Sequence, residues 1–376
     1  MKSVLILTTS TGQGHNQAAK SLMEVFKKRG FNVETYDFLK SNSSFLNSTI
    51  TKGYEFLASK VPKFYGFFYN ITDKKSTNKL LKYVFWNTER KLYKYISIKQ
   101  PNLIIGTHPL SVNIVTHLKR KNLINIPFIS IITDFMVHYS YIDEYTDSYI
   151  TANGYTKDYL FKRGISKEII YPYGIPINSV FFSIDINVLE TKDNEYFNIL
   201  LMGGSMGLEN ISYVLKELIK NKNKLRITVV CGNNTHLKDK LVTEYSNKSI
   251  PNKKLHLLGF TKDISSIMDY CDLIISKPGG LTVTEALAKQ LPIIIPFAIP
   301  GQEVQNTSFL TKIGCALYIK NIKDINPNID LLIDNPDILN SMKDNINKLK
   351  NKGSTEDICT LAENLIHTYI SQESYL

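Results

Sequence analysis

The sequence predicts an α/β protein built from two parallel sheets, each covered by helices, and three observations carry that prediction. Short apolar strands alternate with helical segments through most of the 376 residues, the pattern of βα units. The alternation runs as two series separated by a polar stretch from Ser183 to Glu195. In both series, glycine turns follow strands directly, and open α/β sheets bind ligands at the carboxyl ends of their strands. The length suffices for two domains with sizeable cores.

The first series reads Val4–Thr8, Phe31–Tyr36, Leu103–Gly106, Phe128–Thr133 and Ser148–Thr151, and Gly174-Ile-Pro176 closes it. After the first strand, residues 8–14 form a loop ending Gly-Gln-Gly14, and His15 starts a helix running to about Arg29. The third glycine of a dinucleotide fingerprint is missing, with Gln17 in its place. Gly14 allows close approach of a ligand. A helix start favours a neutral His15 able to accept a proton, although a capping role would use the same position. The second series reads Phe197–Met202, Leu225–Cys231, Leu255–Leu258, Leu273–Ser276 and Ile293–Pro296. The expected organisation is a domain over 1–180, a linker over 181–195, a domain over 196–354 and a final segment over 355–376, helical from about Thr355 to Tyr369.

The most informative stretch is Ser276-Lys-Pro-Gly-Gly-Leu-Thr-Val-Thr-Glu285. A strand is followed by Pro278, Gly279 and Gly280, then by a helix over Leu281–Gln290 that carries Thr282 in its first turn. Free N–H groups and the helix dipole make such a terminus an anion site. Glu285 lies about one turn in, where a carboxylate can accept hydrogen bonds from a ribose diol. A nucleotide diphosphate is the expected ligand. The Gly-Lys-Ser/Thr of ATPase phosphate loops is absent. Gly203, Gly204 and Ser205, directly after Met202, are expected to add N–H donors. Gln302, Glu303 and Asn306, after the last strand, are placed to read sugar hydroxyls or to cap a helix.

Composition bounds the class. With 43% hydrophobic and 21% charged residues the chain is an ordinary globular one. Cys231, Cys271, Cys315 and Cys359 are scattered, which suits reduced thiols better than disulfides or zinc. No secretory signal is expected, because Met1-Lys-Ser leads straight into a strand, and no apolar run approaches the ~20 residues of a membrane span. The net charge of +11 concentrates between Lys52 and Lys99, where eleven basic residues face three acidic ones. Phe64, Tyr65, Phe67, Phe68 and Trp86 interleave there with Lys74, Lys75 and Lys82. Cations among aromatics suit an anionic membrane surface. Core aromatics under a solvated basic face give the same pattern, and single-stranded nucleic acid is the least favoured partner.

A bound nucleotide diphosphate opposite a histidine, across the cleft expected between two such domains, points to glycosyl transfer. Backbone N–H groups would stabilise the departing diphosphate, and His15 would deprotonate the attacking hydroxyl. One direct displacement inverts the anomeric centre. No Asp-x-Asp occurs, so a metal–diphosphate arrangement of that type is not expected and no cofactor is called for.

The chain resembles the processive diacylglycerol glucosyltransferases of Gram-positive bacteria. It is also similar to plant monogalactosyldiacylglycerol synthases and, more distantly, to the peptidoglycan lipid-intermediate N-acetylglucosaminyltransferase. The resemblance rests on Thr11-Gly-Gln-Gly-His15, Ile132-Thr-Asp-Phe135, Gly174-Ile-Pro-Ile177, Val230-Cys-Gly-Asn233, residues 277–284 and Pro300-Gly-Gln-Glu303, in order along nearly the whole chain. It implies a GT-B type fold of two Rossmann-like domains facing a cleft, with the final helix packed on the first. It further implies inversion, a UDP-sugar held by the second half and a diacylglycerol acceptor reached through the first. The protein would then sit peripherally on anionic lipid at the cytoplasmic face of the cell membrane, with residues 52–99 docking it. Carried over by position, His15 is the base, Glu285 the ribose ligand, Gln302 and Glu303 the sugar readers, and Phe260 the residue beside uracil. Asp134 would orient His15 or the acceptor, or cap a turn; His108 and His138 at neighbouring loops are weaker candidates. Glucose is favoured over galactose. A polyprenyl-linked acceptor, a sugar-nucleotide epimerase and a non-catalytic UDP-sugar sensor remain rival readings, and the oligomeric state is open.

Overall fold

The computed structural model describes residues 2–10, 13–38, 73, 86–190, 192–204, 210–349 and 355–373. The chain divides into two compact units: residues 1–177 with 299–302 and 351–376, and residues 178–298 with 303–350.

The first unit is a six-stranded parallel sheet in the order β2-β1-β3-β4-β5-β6, with β1 Ser3–Thr8, β2 Asn32–Asp37, β3 Leu103–Gly106, β4 Phe128–Ile131, β5 Ser148–Ile150 and β6 Ile170–Tyr171. Alternate side chains of β1 enter two cores, because successive residues of a strand point to opposite faces. Val4 and Ile6 join Ala19, Leu22 and Phe26 of α1 (Gln13–Lys28) on one face. Leu5 and Leu7 join Leu92 and Ile96 of α2 (Trp86–Lys99) and Val112, Val115 and Leu118 of α3 (Pro109–Arg120) on the other. α4 (Gly154–Lys162) adds Leu160 to that second core.

The second unit repeats the plan, with sheet order β12-β11-β10-β7-β8-β9. Its strands are β7 Phe197–Met202, β8 Leu225–Val230, β9 Lys253–Leu258, β10 Leu273–Ser276, β11 Ile293–Ile295 and β12 Ala316–Tyr318. The helices are α5 Ile186–Glu190, α6 Asn210–Ile219, α7 Thr235–Tyr245, α8 Ile264–Tyr270, α9 Gly280–Ala288, α10 Gln302–Lys312, α11 Ile325–Asp334 and α12 Pro336–Leu349. Ile199 and Leu201 of β7 pack with Ile211, Val214, Leu215 and Leu218 of α6 in one core.

The last helix, α13 (Thr355–Glu373), belongs to the first unit. Its Ile358, Cys359, Leu361, Ala362 and Ile366 share the core of Val4, Leu22 and Phe26. Burying each large aliphatic side chain contributes roughly 1.5–3 kcal/mol, so apolar packing holds this helix. Arg29 adds surface bonds, to Glu356 at 2.8 Å and Thr360 at 3.0 Å.

Within the stretch that follows the first unit, a 3-10 turn at Ser179–Phe182 leads into α5. The Asp185 backbone N–H donates to Asp269 at 3.1 Å, Ser266 donates to the Asp185 carboxylate, and Lys289 pairs with Asp269 at 2.6 Å, both side chains being almost wholly buried. Asp185 therefore has both its partners on α8. α2, at the end of the basic stretch, gives Leu92 and Ile96 to the core. Its buried Glu89 pairs with His117 at 2.6 Å and Lys121 at 3.1 Å, and Lys99 with Glu34 at 2.8 Å.

Candidate functional site

Each sheet has one place where the winding direction reverses, and the candidate residues of that unit lie there. In the first unit, β1 sits between β2 and β3, so the chain leaves β1 to one side while the turn after β3 lies on the other. Ligands bind at such switch points outside the carboxyl ends of strands. α1 starts after β1 and presents His15; the turn after β3 presents Thr107 and His108. Gly106 makes this turn possible: a Cβ there would lie 2.0 Å from Ser111 Oγ, so α3 could not approach the strand end.

His15 Nδ1 lies 2.7 Å from the Thr107 carbonyl oxygen and 3.2 Å from Thr133 Oγ1. A carbonyl only accepts, so Nδ1 carries the hydrogen and the lone pair of neutral imidazole is on Nε2. Burial pushes His15 down to about 4, with the Thr107 bond opposing, so the ring is neutral at ordinary pH and its lone pair is on Nε2. Thr107 Oγ1 donates to the His15 carbonyl at 3.2 Å, and Thr133 Oγ1 is 3.1 Å from the Tyr141 hydroxyl. Thr107 and Thr133 thus fix the ring, a role the sequence reading assigned to neither. Asp134, beside Thr133, is half-buried; after burial itself, its charge is the next cause raising the Tyr141 phenol.

The neighbouring histidines have structural duties. The His108 ring meets His15 edge-on at 4.6 Å. Its Nδ1 accepts from the Leu110 N–H at 3.1 Å, capping α3, and burial, then proximity to His15, holds it well below its ordinary value. His138 caps the turn at Tyr139–Tyr141 by accepting from the Ser140 N–H at 3.1 Å.

In the second unit, β7 lies between β8 and β10, and the turns after β7 and β10 meet at the switch point. Gly203 and Gly204 follow β7; Gly204 has φ +77, and a Cβ there would stand 3.0 Å from Lys277 Cε. After β10 come Lys277, Pro278 and Gly279, with Gly279 at the N-cap of α9 in extended conformation and no side-chain cap. The Val283 N–H bonds the Gly279 carbonyl at 2.9 Å, so the N–H groups of Gly280, Leu281 and Thr282 begin the helix without intrahelical acceptors. That is an anion site by geometry. Glu285 lies within α9, and burial pushes its carboxyl up to about 8.

α10 brings up the remaining polar residues. Gln302 opens it; Glu303, buried, pairs with Lys277 at 2.6 Å, and buried Asn306 donates to the Pro278 carbonyl at 3.0 Å. Phe260, two residues beyond β9, is strongly exposed.

Two family descriptions match: monogalactosyldiacylglycerol (MGDG) synthase over residues 15–177, and the glycosyltransferase family 28 C-terminal domain over residues 198–358. The processive diacylglycerol beta-glucosyltransferase of Bacillus subtilis (strain 168) is 33% identical over 95% of this chain and 94% of its own. The chain belongs to this glycosyltransferase family. The enzyme of the same name from Bacillus licheniformis is 32% identical over 96% of this chain and 94% of its own. Among solved structures, Acinetobacter baumannii MurG covers 97% of this chain and all of that one with TM-score 0.65 at 15% identity. An S. aureus MnaA–UDP complex covers 96% and 95% with TM-score 0.60 at 14% identity. These share the GT-B architecture of two α/β units.

Within this family frame, the first match begins at His15 and the second spans Gly203 to Asn306. Ser205, Phe64, Tyr65, Phe67, Phe68, Lys74, Lys75 and Lys82 lie outside the described residues, and of Trp86 only its place at the start of α2 is described. Asp73 receives two bonds from Arg163, at 3.0 and 3.3 Å, and one from the Tyr139 N–H at 2.8 Å. Among the described residues no group of three His, Cys, Asp or Glu side chains is arranged to hold a metal ion, and no helix is long and apolar enough to cross a membrane.

Proposed function

We propose that this chain transfers a hexose, glucose in the first instance, from a UDP-sugar to the free hydroxyl of diacylglycerol, with inversion. The observation that carries the reading is one feature in each unit: a neutral, tautomer-fixed imidazole at the switch point of the first, and an uncapped helix N-terminus with a half-buried carboxyl at that of the second. The activity for which the Bacillus relatives are named and the two family matches support it.

In this mechanism the N–H groups at Gly203–Gly204 and at the start of α9 take the diphosphate. Glu285 accepts from the ribose hydroxyls, the exposed Phe260 lies beside the base, and Gln302, Glu303 and Asn306 read the sugar. Nε2 of His15 removes the acceptor hydroxyl proton as that oxygen attacks the anomeric carbon. The carbon–oxygen bond to the diphosphate breaks, UDP leaves with the bonding pair, and the α-linked donor becomes a β-linked product. Charge on the leaving group meets fixed dipoles, which need no reorganisation, so no metal is required. Asp134 helps to orient the acceptor side. Repetition on the new sugar hydroxyl would lengthen the headgroup. The lipid acceptor places the enzyme peripherally at the cytoplasmic membrane face, with the basic aromatic segment before α2 meeting anionic lipid.

His15→Ala tests the assignment. Removal of a general base costs about 10²–10⁴-fold in turnover, while UDP affinity measured by calorimetry stays as in the wild type. Undiminished turnover would remove His15 from the mechanism.

A further inference from the structure

Lys277 belongs to the diphosphate turn by sequence, yet its ammonium is committed elsewhere. It lies 2.6 Å from Glu303 Oε1, with side-chain exposures of 19% and 6%. Its stem crosses Gly204, close enough that a Cβ there would meet Lys277 Cε at 3.0 Å. One turn further along α10, Asn306 grips the next residue of the same loop through the Pro278 carbonyl at 3.0 Å. The loop after β10 is therefore fastened twice to α10, at Glu303 and Asn306. A charge-assisted bond of this kind fixes direction as well as distance.

We propose that Lys277 is a positioning residue for donor-sugar selection. It holds the Glu303 carboxylate where the hexose hydroxyls will lie, and it ties that carboxylate to the Gly204 turn that receives the diphosphate. This rests on the reading of the second unit as the UDP-sugar half-site. Lys277 then governs which hexose is accepted and leaves the affinity for UDP itself to the backbone N–H groups and Glu285.

The test is Lys277→Met, which keeps the stem over Gly204 and removes the charge. UDP affinity by calorimetry is expected to stay within about twofold. The KM for the preferred UDP-hexose is expected to rise at least about tenfold, the size of one charged hydrogen bond. The kcat/KM ratio between UDP-glucose and UDP-galactose is expected to collapse towards unity. Parallel loss of UDP and UDP-hexose binding would overturn the proposal, since Lys277 would then serve the diphosphate or the loop as a whole. An unchanged sugar ratio would overturn it too. If the Met variant does not fold, Lys277→Arg keeps the charge but replaces a point donor by a longer planar fork. A shifted sugar ratio at constant UDP affinity supports the role, and an unshifted ratio refutes it. Wild-type protein that turns over neither donor would refute the donor reading itself, a result distinct from either variant's.

Discussion

His15 and Glu285 are shifted in opposite directions by the same cause, and each shift has a measurable consequence. Burial lowers His15 to about 4, so the ring charges only in strong acid. The acid limb of kcat/KM is therefore expected near pH 4; a limb near 6.5, the ordinary histidine value, would show a base exposed to water. Burial raises Glu285 from 4.5 to about 8. The folded chain thus holds a proton there which the unfolded chain loses, and this group's contribution to stability falls as pH rises from about 4.5 to about 8. Ribose hydroxyls donating to the carboxylate favour its ionised form, so UDP affinity is expected to increase as pH rises towards about 8. Binding at pH 7 should release a proton, read by calorimetry in two buffers of different ionisation heat, and Glu285→Gln should abolish that release. Release that persists in the Gln variant would assign the proton elsewhere.

The elements were largely legible because central parallel strands are continuous apolar runs. Leu103–Gly106, Phe197–Met202 and Leu273–Ser276 have the boundaries read from sequence. The two strands missed, β6 and β12, are edge strands of two and three residues, too short to show a run. The His15 and Glu285 positions were readable from strand–glycine–helix order. Thr107 and Thr133 were not, since their contact with His15 spans 92 and 118 residues and only the sheet order brings them together. Nor was the Lys277–Glu303 pair, which depends on α10 returning to the β10 loop. At this scale α13 makes the sharpest stability prediction. Ile366→Ala removes a fully buried side chain and is expected to cost about 2–4 kcal/mol in urea unfolding. Arg29→Ala removes exposed pairs to Glu356 and Glu363 and is expected to cost about 1 kcal/mol or less. The reverse ranking would mean that charge, not packing, holds α13.

Across the whole molecule, the proposed docking on anionic lipid rests on the net charge of +11 and the excess of cations between Lys52 and Lys99. Each cation near such a surface contributes about 1 kcal/mol. Glu at Lys74, Lys75, Lys79 and Lys82 with Ala at Trp86 is therefore expected to abolish sedimentation with anionic vesicles and lower activity on them, while UDP binding persists. Loss of UDP binding as well would show that the segment supports the fold. The central claim, hexose transfer from UDP to diacylglycerol, is tested most directly by the product. Wild-type protein is incubated with diacylglycerol vesicles and either UDP-glucose or UDP-galactose, and the lipids are resolved by mass. A hexosyl-diacylglycerol with UDP-glucose, followed by its higher homologues, is the predicted result. No glycolipid from either donor, with UDP binding confirmed, would contradict the account.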